Sequence, residues 1–340
     1  MSSVMVRSVV GAALGLCLAV GATAPAAAGA PGSASGSSVR AAPAVAEQAV
    51  SMSVSEVDLD GPAVNPITVT IRNDSSKSMS KVTASISGPV GWTVSGSQTL
   101  PSQIRPGAST ELTFWVQVPE RRPGFRTYTF SATATYRGGD GAGSVTASRA
   151  THSGTVLPNL AAAYNNVGVT NETATTAGNF DGEGNSFSAQ KLADKGLTPG
   201  AAVSALGASF TWPSAAAGTP GNVASAGQAV ALSGKGSRLA FLGSGAGTSA
   251  TGIATVHYTD GTSSTGSFGF PNWSFQDATA HGATLVASSV GRNRPSGYGD
   301  AAYAYRVFAN SITIDPTKTV EFVILPSNGA VHVFDMKLVP

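Results

Sequence analysis

Three short stretches of the 340-residue chain carry side chains able to do chemistry on a ligand. In Asp181-Gly182-Glu183-Gly184-Asn185, oxygen-bearing side chains alternate with glycines, a spacing that lets a loop curl around a hard cation such as calcium. An EF-hand is excluded, since the twelfth position counted from Asp181 is Leu192, where a bidentate carboxylate is required. Asp335, far along the chain, is the candidate to complete a structural calcium site, the one cofactor this pattern suggests. The alternative is an ordinary solvated glycine-rich turn. In Phe270-Pro271-Asn272-Trp273-Ser274-Phe275-Gln276-Asp277, aromatic and polar side chains interleave. Trp273 offers a face on which the C–H side of a sugar ring can stack, with Asn272 and Gln276 placed to hydrogen-bond hydroxyls. The competing reading has Trp273 covering the edge of a core. Arg292-Asn293-Arg294-Pro295-Ser296-Gly297-Tyr298-Gly299-Asp300 reads as a second loop, bringing Arg292, Arg294 and Tyr298 together, with a solvated rim as the alternative.

The common catalytic signatures are missing. There is no Gly-x-Ser-x-Gly elbow, no His-Glu-x-x-His zinc helix and no completed phosphate loop. Ser233-Gly234-Lys235-Gly236-Ser237 lacks the spacing of such a loop. The four histidines, His152, His257, His281 and His332, are scattered, and His257 and His332 fall within strand patterns as structural residues. Two carboxylates suffice for glycoside hydrolysis, but Asp260, Asp277, Asp300 and Glu321 belong to different segments and nothing pairs them in sequence. A (β/α)₈ glycosidase barrel needs ~250 residues and has no room here. With 20 basic against 18 acidic side chains and only 11% charged residues, the chain lacks the footprint of a nucleic-acid or anionic-membrane binder.

The elements that must position these stretches are strands. Between residues 49 and 156 the pattern has period two. Ile67-Thr68-Val69-Thr70-Ile71 alternates apolar and polar, as do 82–86, 112–118 and 128–136. Turn signals separate them, including Asn73-Asp74-Ser75-Ser76, Pro106-Gly107, Arg122-Pro123-Gly124 and Gly138-Gly139-Asp140-Gly141. Such spacing over ~100 residues predicts an immunoglobulin-like sandwich. Residues 157–340 carry strand candidates at 202–212, 229–232, 238–242, 252–258, 264–270, 302–308, 311–314, 319–325 and 331–338. One short helix is expected at 188–195, closed by Gly196. The absence of a βα rhythm predicts a jelly-roll β-sandwich. Trp92 and Trp212 read as core residues.

Residues 1–30 read as a secretory signal peptide. Arg7 supplies the basic start, Val9 to Val20 the apolar run, and Ala26-Ala27-Ala28-Gly29-Ala30 the small residues before cleavage. A membrane anchor would need a longer uninterrupted span, so no membrane span is expected once this segment is removed. Leu16 before Cys17 speaks against lipid attachment. Cys17 is the sole cysteine, so the mature protein would have no disulfide. Residues 31–48, rich in Gly, Ser, Ala and Pro, read as a flexible linker.

Val69-Thr70-Ile71-Arg72-Asn73, Gly91-Trp92-Thr93-Val94, Ile104-Arg105-Pro106-Gly107 and Leu112-Thr113-Phe114-Trp115-Val116-Gln117-Val118-Pro119 resemble the immunoglobulin-like domain that accompanies bacterial α-galactosidases, the NPCBM-associated type. Its members are spacers between catalytic and sugar-binding modules. Tyr164-Asn165-Asn166-Val167-Gly168-Val169, the stretch from Gly178 to Ala189, Phe210-Thr211-Trp212-Pro213, and Val333-Phe334-Asp335-Met336 resemble a carbohydrate-binding-like jelly-roll module of secreted actinobacterial glycosidases. These resemblances imply a secreted, non-catalytic accessory protein whose partner is a carbohydrate polymer or glycan, working beside a separate glycosidase. A β-sandwich glycoside hydrolase or polysaccharide lyase, and an extracellular protein-binding adhesion module, are the alternatives.

Overall fold

A computed structural model describes residues 49–121, 124–139 and 141–340. The expected signal peptide and linker, and the turn residues Arg122, Pro123 and Asp140, lie outside the described residues. The described chain is all-β, an immunoglobulin-like sandwich followed by a jelly-roll sandwich, within one compact unit, Gln48–Pro340. Among the described residues no helix is long and apolar enough to cross a membrane.

The first sandwich contains β1 (Val50–Val54), β2 (Val64–Asn73), β3 (Met79–Ser87), β4 (Thr93–Val94), β5 (Gln98–Thr99), β6 (Ser109–Gln117), β7 (Arg126–Gly138) and β8 (Gly143–Ser153). One sheet runs β1-β2-β6-β4 and the other β5-β3-β7-β8. Period two has a direct consequence in β2, where Ile67, Val69 and Ile71 point inward beside Phe114 of the adjacent β6 to meet Phe130, Val82 and Ala84 of the facing sheet. Trp92 packs against this core with its ring 4.8 Å from that of Tyr128.

The second sandwich contains β9 (Val169–Thr170), β10 (Phe187–Ser188), β11 (Ala202–Ala205), β12 (Ala208–Thr211), β13 (Val223–Ala224), β14 (Ala229–Gly234), β15 (Arg238–Gly245), β16 (Thr251–Tyr258), β17 (Ser263–Gly269), β18 (Thr284–Arg294), β19 (Gly297–Thr313), β20 (Val320–Ile324) and β21 (Val331–Val339). A five-stranded sheet, β13-β21-β15-β19-β18, faces a four-stranded one, β14-β20-β16-β17. The centre of the five-stranded sheet, around β15, is buried on both faces. Leu239 and Phe241 of β15 enter the core between the sheets, while Ala240 and Leu242 enter a second core on the outer face. That outer core is roofed by the segment from β9 to β12, which includes α1 (Ala189–Ala193). The Ser188 Oγ caps α1 by accepting from the Lys191 amide at 3.1 Å, and Gly196 follows with φ of +80°. Burial of both faces explains why β15 is a continuous apolar run instead of an alternating one.

Two readings need correction. Residues 202–212 are not one strand but a hairpin, β11 to β12, turned at Leu206 and Gly207, both with positive φ. The stretch from Arg292 to Asp300 is likewise no open loop: it is the tip of the β18–β19 hairpin, with Arg294 paired to Gly297.

Candidate functional site

The three chemically interesting stretches meet at one end of the outer core, around a cleft of about 720 Å³. Its walls come from the Asp181 loop, the Trp273 loop, the turn after β15 at Ala246 to Thr248, and β18 with β19, which contribute Arg292, Asp300, Tyr303 and Tyr305.

Backbone connections fix the Trp273 loop. The Trp273 amide donates to the Gly245 carbonyl at 2.9 Å, and the Arg306 amide donates to the Trp273 carbonyl at 2.8 Å. Asn272 caps the turn, its Oδ1 accepting from the Ser274 amide at 2.9 Å. Arg306 of β19 is the clamp: its Nη2 donates to the carbonyls of Ser274 at 2.6 Å and Gln276 at 2.7 Å, and lies 3.5 Å from that of Asn272. Removing this guanidinium strands those carbonyls without a charged donor. Arg306→Ala is therefore expected to lower stability by about 2 kcal/mol and to raise hydrogen exchange at the Trp273 amide. Arg306→Lys should recover part of the loss, because all three carbonyls are met by the single Nη2 and an ammonium is likewise one nitrogen with several donors.

The Trp273 indole is not an exposed platform. It is 2% exposed, packed against Phe180, Phe187 and Tyr305 with ring centroids 4.8, 4.9 and 4.7 Å away. The loop's geometry instead swings the neighbouring Phe275 outward, 74% exposed. Tyr303, 65% exposed, is the second open ring of the cleft. Gln276 is spent on the loop itself, its Oε1 accepting from the Asn272 amide at 2.8 Å.

On the opposite wall the charges form a chain. Asp181 Oδ1 accepts from the amides of Glu183 at 3.0 Å and Asn185 at 3.2 Å, and its Oδ2 accepts from Asn185 Nδ2 at 2.8 Å. Arg292 bridges Asp181 Oδ2 at 3.4 Å and Asp300 Oδ2 at 2.7 Å, and Arg294 reaches Asp300 Oδ1 at 3.4 Å. A guanidinium and backbone amides thus organise the acidic loop. Asp335, expected to complete a calcium site there, belongs to a different groove: its Oδ2 accepts from the Thr211 amide at 2.7 Å and pairs with Lys337 at 3.3 Å. Among the described residues no group of three or more His, Cys, Asp or Glu is arranged to hold a metal ion.

Asp300 adopts φ of +56°, a left-handed conformation that Asp tolerates better than most residues. It follows the register shift in the β18–β19 pairing near Arg292. The Arg292 hydrogen bond, with the Coulomb field of Arg292 and Arg294, holds its carboxyl below the usual carboxylate range. Burial pushes the Tyr305 hydroxyl up to about 12, so it remains a donor to Asp300, 3.5 Å away. Tyr298 turns away from the cleft, its hydroxyl donating to the Val290 carbonyl at 3.2 Å and its ring facing Lys191. Arg294 supports Asp300 without lining the cleft.

Tyr303 and Tyr305 were missed as site residues because they sit inside a long strand. The available signal was Tyr303-Ala304-Tyr305 itself: residues two apart in a strand share a face, so both rings line the cleft, Tyr303 open to solvent and Tyr305 buried deeper along the strand.

No curated protein matches the chain. Among solved structures, the secreted serine protease VesC from Vibrio cholerae is similar at 10% identity with a TM-score of 0.22, covering 78% of this chain and 48% of that one. The chain therefore spans about half the length of that protein. Residues 63–137 match the NPCBM-associated NEW3 domain of alpha-galactosidase. Residues 156–340, more than half of the chain, match the AziU2-like beta-sandwich domain, and the protein belongs to that family.

Proposed function

We propose that the protein is an exported, non-catalytic accessory protein that binds a carbohydrate polymer or glycan in the cleft of its second sandwich, with the first sandwich as spacer beside a separate glycosidase. One observation carries this reading: two open aromatic rings, Phe275 and Tyr303, line one cleft with the charged side chains of Asp181, Glu183, Arg292 and Asp300. Stacking faces beside fixed hydrogen-bonding groups are what a sugar ring requires, and a solvated aromatic side chain has no packing reason to be there. The similarity of residues 63–137 to a domain of α-galactosidase supports a carbohydrate setting.

Binding without bond cleavage is the better reading of the carboxylates. A glycosidase needs one carboxyl held protonated by a raised pKa. Asp300 is shifted the opposite way by Arg292, and Asp181 is tied to the same guanidinium.

The test is retention of the purified protein on a panel of insoluble and immobilised polysaccharides, with reducing ends assayed in the supernatant. Phe275→Ala and Tyr303→Ala remove exposed rings, so each should leave the melting temperature nearly unchanged. Each should weaken binding roughly tenfold, which corresponds to about 1.4 kcal/mol. Unaltered affinity in both variants sinks the cleft assignment, and release of reducing ends would make the protein an enzyme.

A further inference from the structure

We infer that the ligand of this cleft carries a cationic nitrogen, the chemistry of a saccharide with free amino groups, as in oligomers of glucosamine. The inference deepens the saccharide reading above and rests on it.

The charges around the cleft are unevenly committed. Three carboxylates line it, those of Asp181, Glu183 and Asp300, against one cation, Arg292. That cation is already engaged on two sides, through Nε with Asp300 and through Nη1 with Asp181. It neutralises part of the wall and is a poor anchor for an incoming uronate or sulfate, because recruiting it means weakening the pairs that hold β18 to the Asp181 loop. Arg294 is drawn into the same chain from behind by Asp300.

Glu183 stands outside this network. Its backbone amide is used by Asp181, but among the described residues its carboxylate makes no ion pair, and the residue is exposed. Among the described residues, it is the one carboxylate lining the cleft that makes no ion pair. Beside small and polar residues of the Ala246 turn and the Trp273 loop, the open aromatic surface of the cleft is the rings of Phe275 and Tyr303, whose faces carry negative electrostatic potential. An unpaired carboxylate and open π-faces lining one cleft favour a protonated amine over an N-acetyl group or a carboxylate. Asp300 Oδ1, which meets only Arg294, adds an acceptor for an ammonium or hydroxyl proton.

The experiment is calorimetric titration of the full chain at low ionic strength with three oligosaccharides of equal length: a glucosamine tetramer, its N-acetylated counterpart and an oligogalacturonate. The glucosamine tetramer is expected to bind at least tenfold more tightly than either other ligand. Glu183→Gln, which keeps shape and removes charge at an exposed position, should abolish that preference while leaving the melting temperature unchanged. Equal or tighter binding of the N-acetylated or acidic oligomer overturns the inference and leaves the saccharide reading standing. A preference that survives Glu183→Gln overturns it as well. Absence of binding by all three oligomers also overturns it, and the polysaccharide panel then decides whether the saccharide reading falls too.

Discussion

Trp273→Ala destabilises the second sandwich by about 3–5 kcal/mol, the range for emptying a well-packed site of a large aromatic. The indole is 2% exposed and is the meeting point of Phe180, Phe187 and Tyr305, residues from the roof and from β19. Those rings come from separate elements, so they cannot close over the void together, and the cost lies at the upper end when a site cannot collapse. Chemical denaturation followed by tryptophan-independent far-ultraviolet circular dichroism gives the measurement. Trp273→Phe should recover most of the loss. A Trp273→Ala variant with an unchanged denaturation midpoint would show that the indole is not part of the outer core. Loss of ligand binding in Trp273→Ala alone is thus uninformative, whereas the same loss in Phe275→Ala, two residues along, reports on the cleft.

Lowering the pH from about 6.5 toward 4 is expected to remove on the order of several kcal/mol of stability, most of it above about pH 4.5, where ordinary carboxylates are still largely ionised. His257 and His332 are each pushed down to about 4 by burial, and burial also lowers His152. The unfolded chain binds protons at these histidines near pH 6.5, whereas the folded chain refuses them until about 4. The unfolded state therefore holds more protons throughout that window, and stability falls as the pH falls, levelling off below the folded value. His332 has a satisfied environment, with Nδ1 donating to Asn222 Oδ1 at 2.7 Å. His257 does not: its ring stacks on Phe322 at 4.5 Å and lies 4.8 Å from His152, and its Nε2 has no partner. Asp300, and Asp260 at about 2, have depressed values, so their contributions are lost only at lower pH. Denaturation midpoints measured from pH 7.5 to 4 should show the slope, and His257→Phe should flatten part of it. A midpoint that does not move across that range rules out buried neutral histidines.

The strands of the first sandwich were legible because one face of each is wet. In β2 the alternation of Thr68 and Thr70 with Ile67, Val69 and Ile71 maps directly onto outside and inside. The resemblance of this region to the α-galactosidase-associated domain also stands. The β18–β19 hairpin was harder to see. Ala287, Ser288, Ser289, Gly291 and Asn293 give β18 little of the apolar signature of a strand, and two register shifts interrupt its periodicity. The roof over the outer core was equally opaque, since side-chain bonds hold it where ladders are absent. Asn293 Nδ2 donates to the Thr170 carbonyl at 2.8 Å, and Asn222 Nδ2 donates to Asn166 Oδ1 at 3.1 Å. Spacing alone cannot announce such long-range pairs. For the site, the three stretches were found, but their roles were not. Whether Trp273 or Phe275 faces solvent depends on the Asn272 cap and the Arg306 clamp, and the sequence does not reveal that Arg306 reaches back over thirty positions to hold a turn.

The junction between the sandwiches has a mechanical consequence. Only Gly154, Thr155 and Val156 separate β8 from Leu157, whose amide already donates to the Ala229 carbonyl of β14 at 2.8 Å. Phe125 and His152 of the first sandwich pack on Phe322 and His257 of the second. A connection this short, seated on aromatic rings, has no swivel, unlike a Gly/Ser tether whose ends wander independently. The pair behaves as a cantilever: torque applied at the second sandwich passes through the ring cluster into the first instead of dissipating in a hinge. The angle between the cleft and the first sandwich is then set by the fold, and torsional stiffness is a property of the whole pair and not of either sandwich alone.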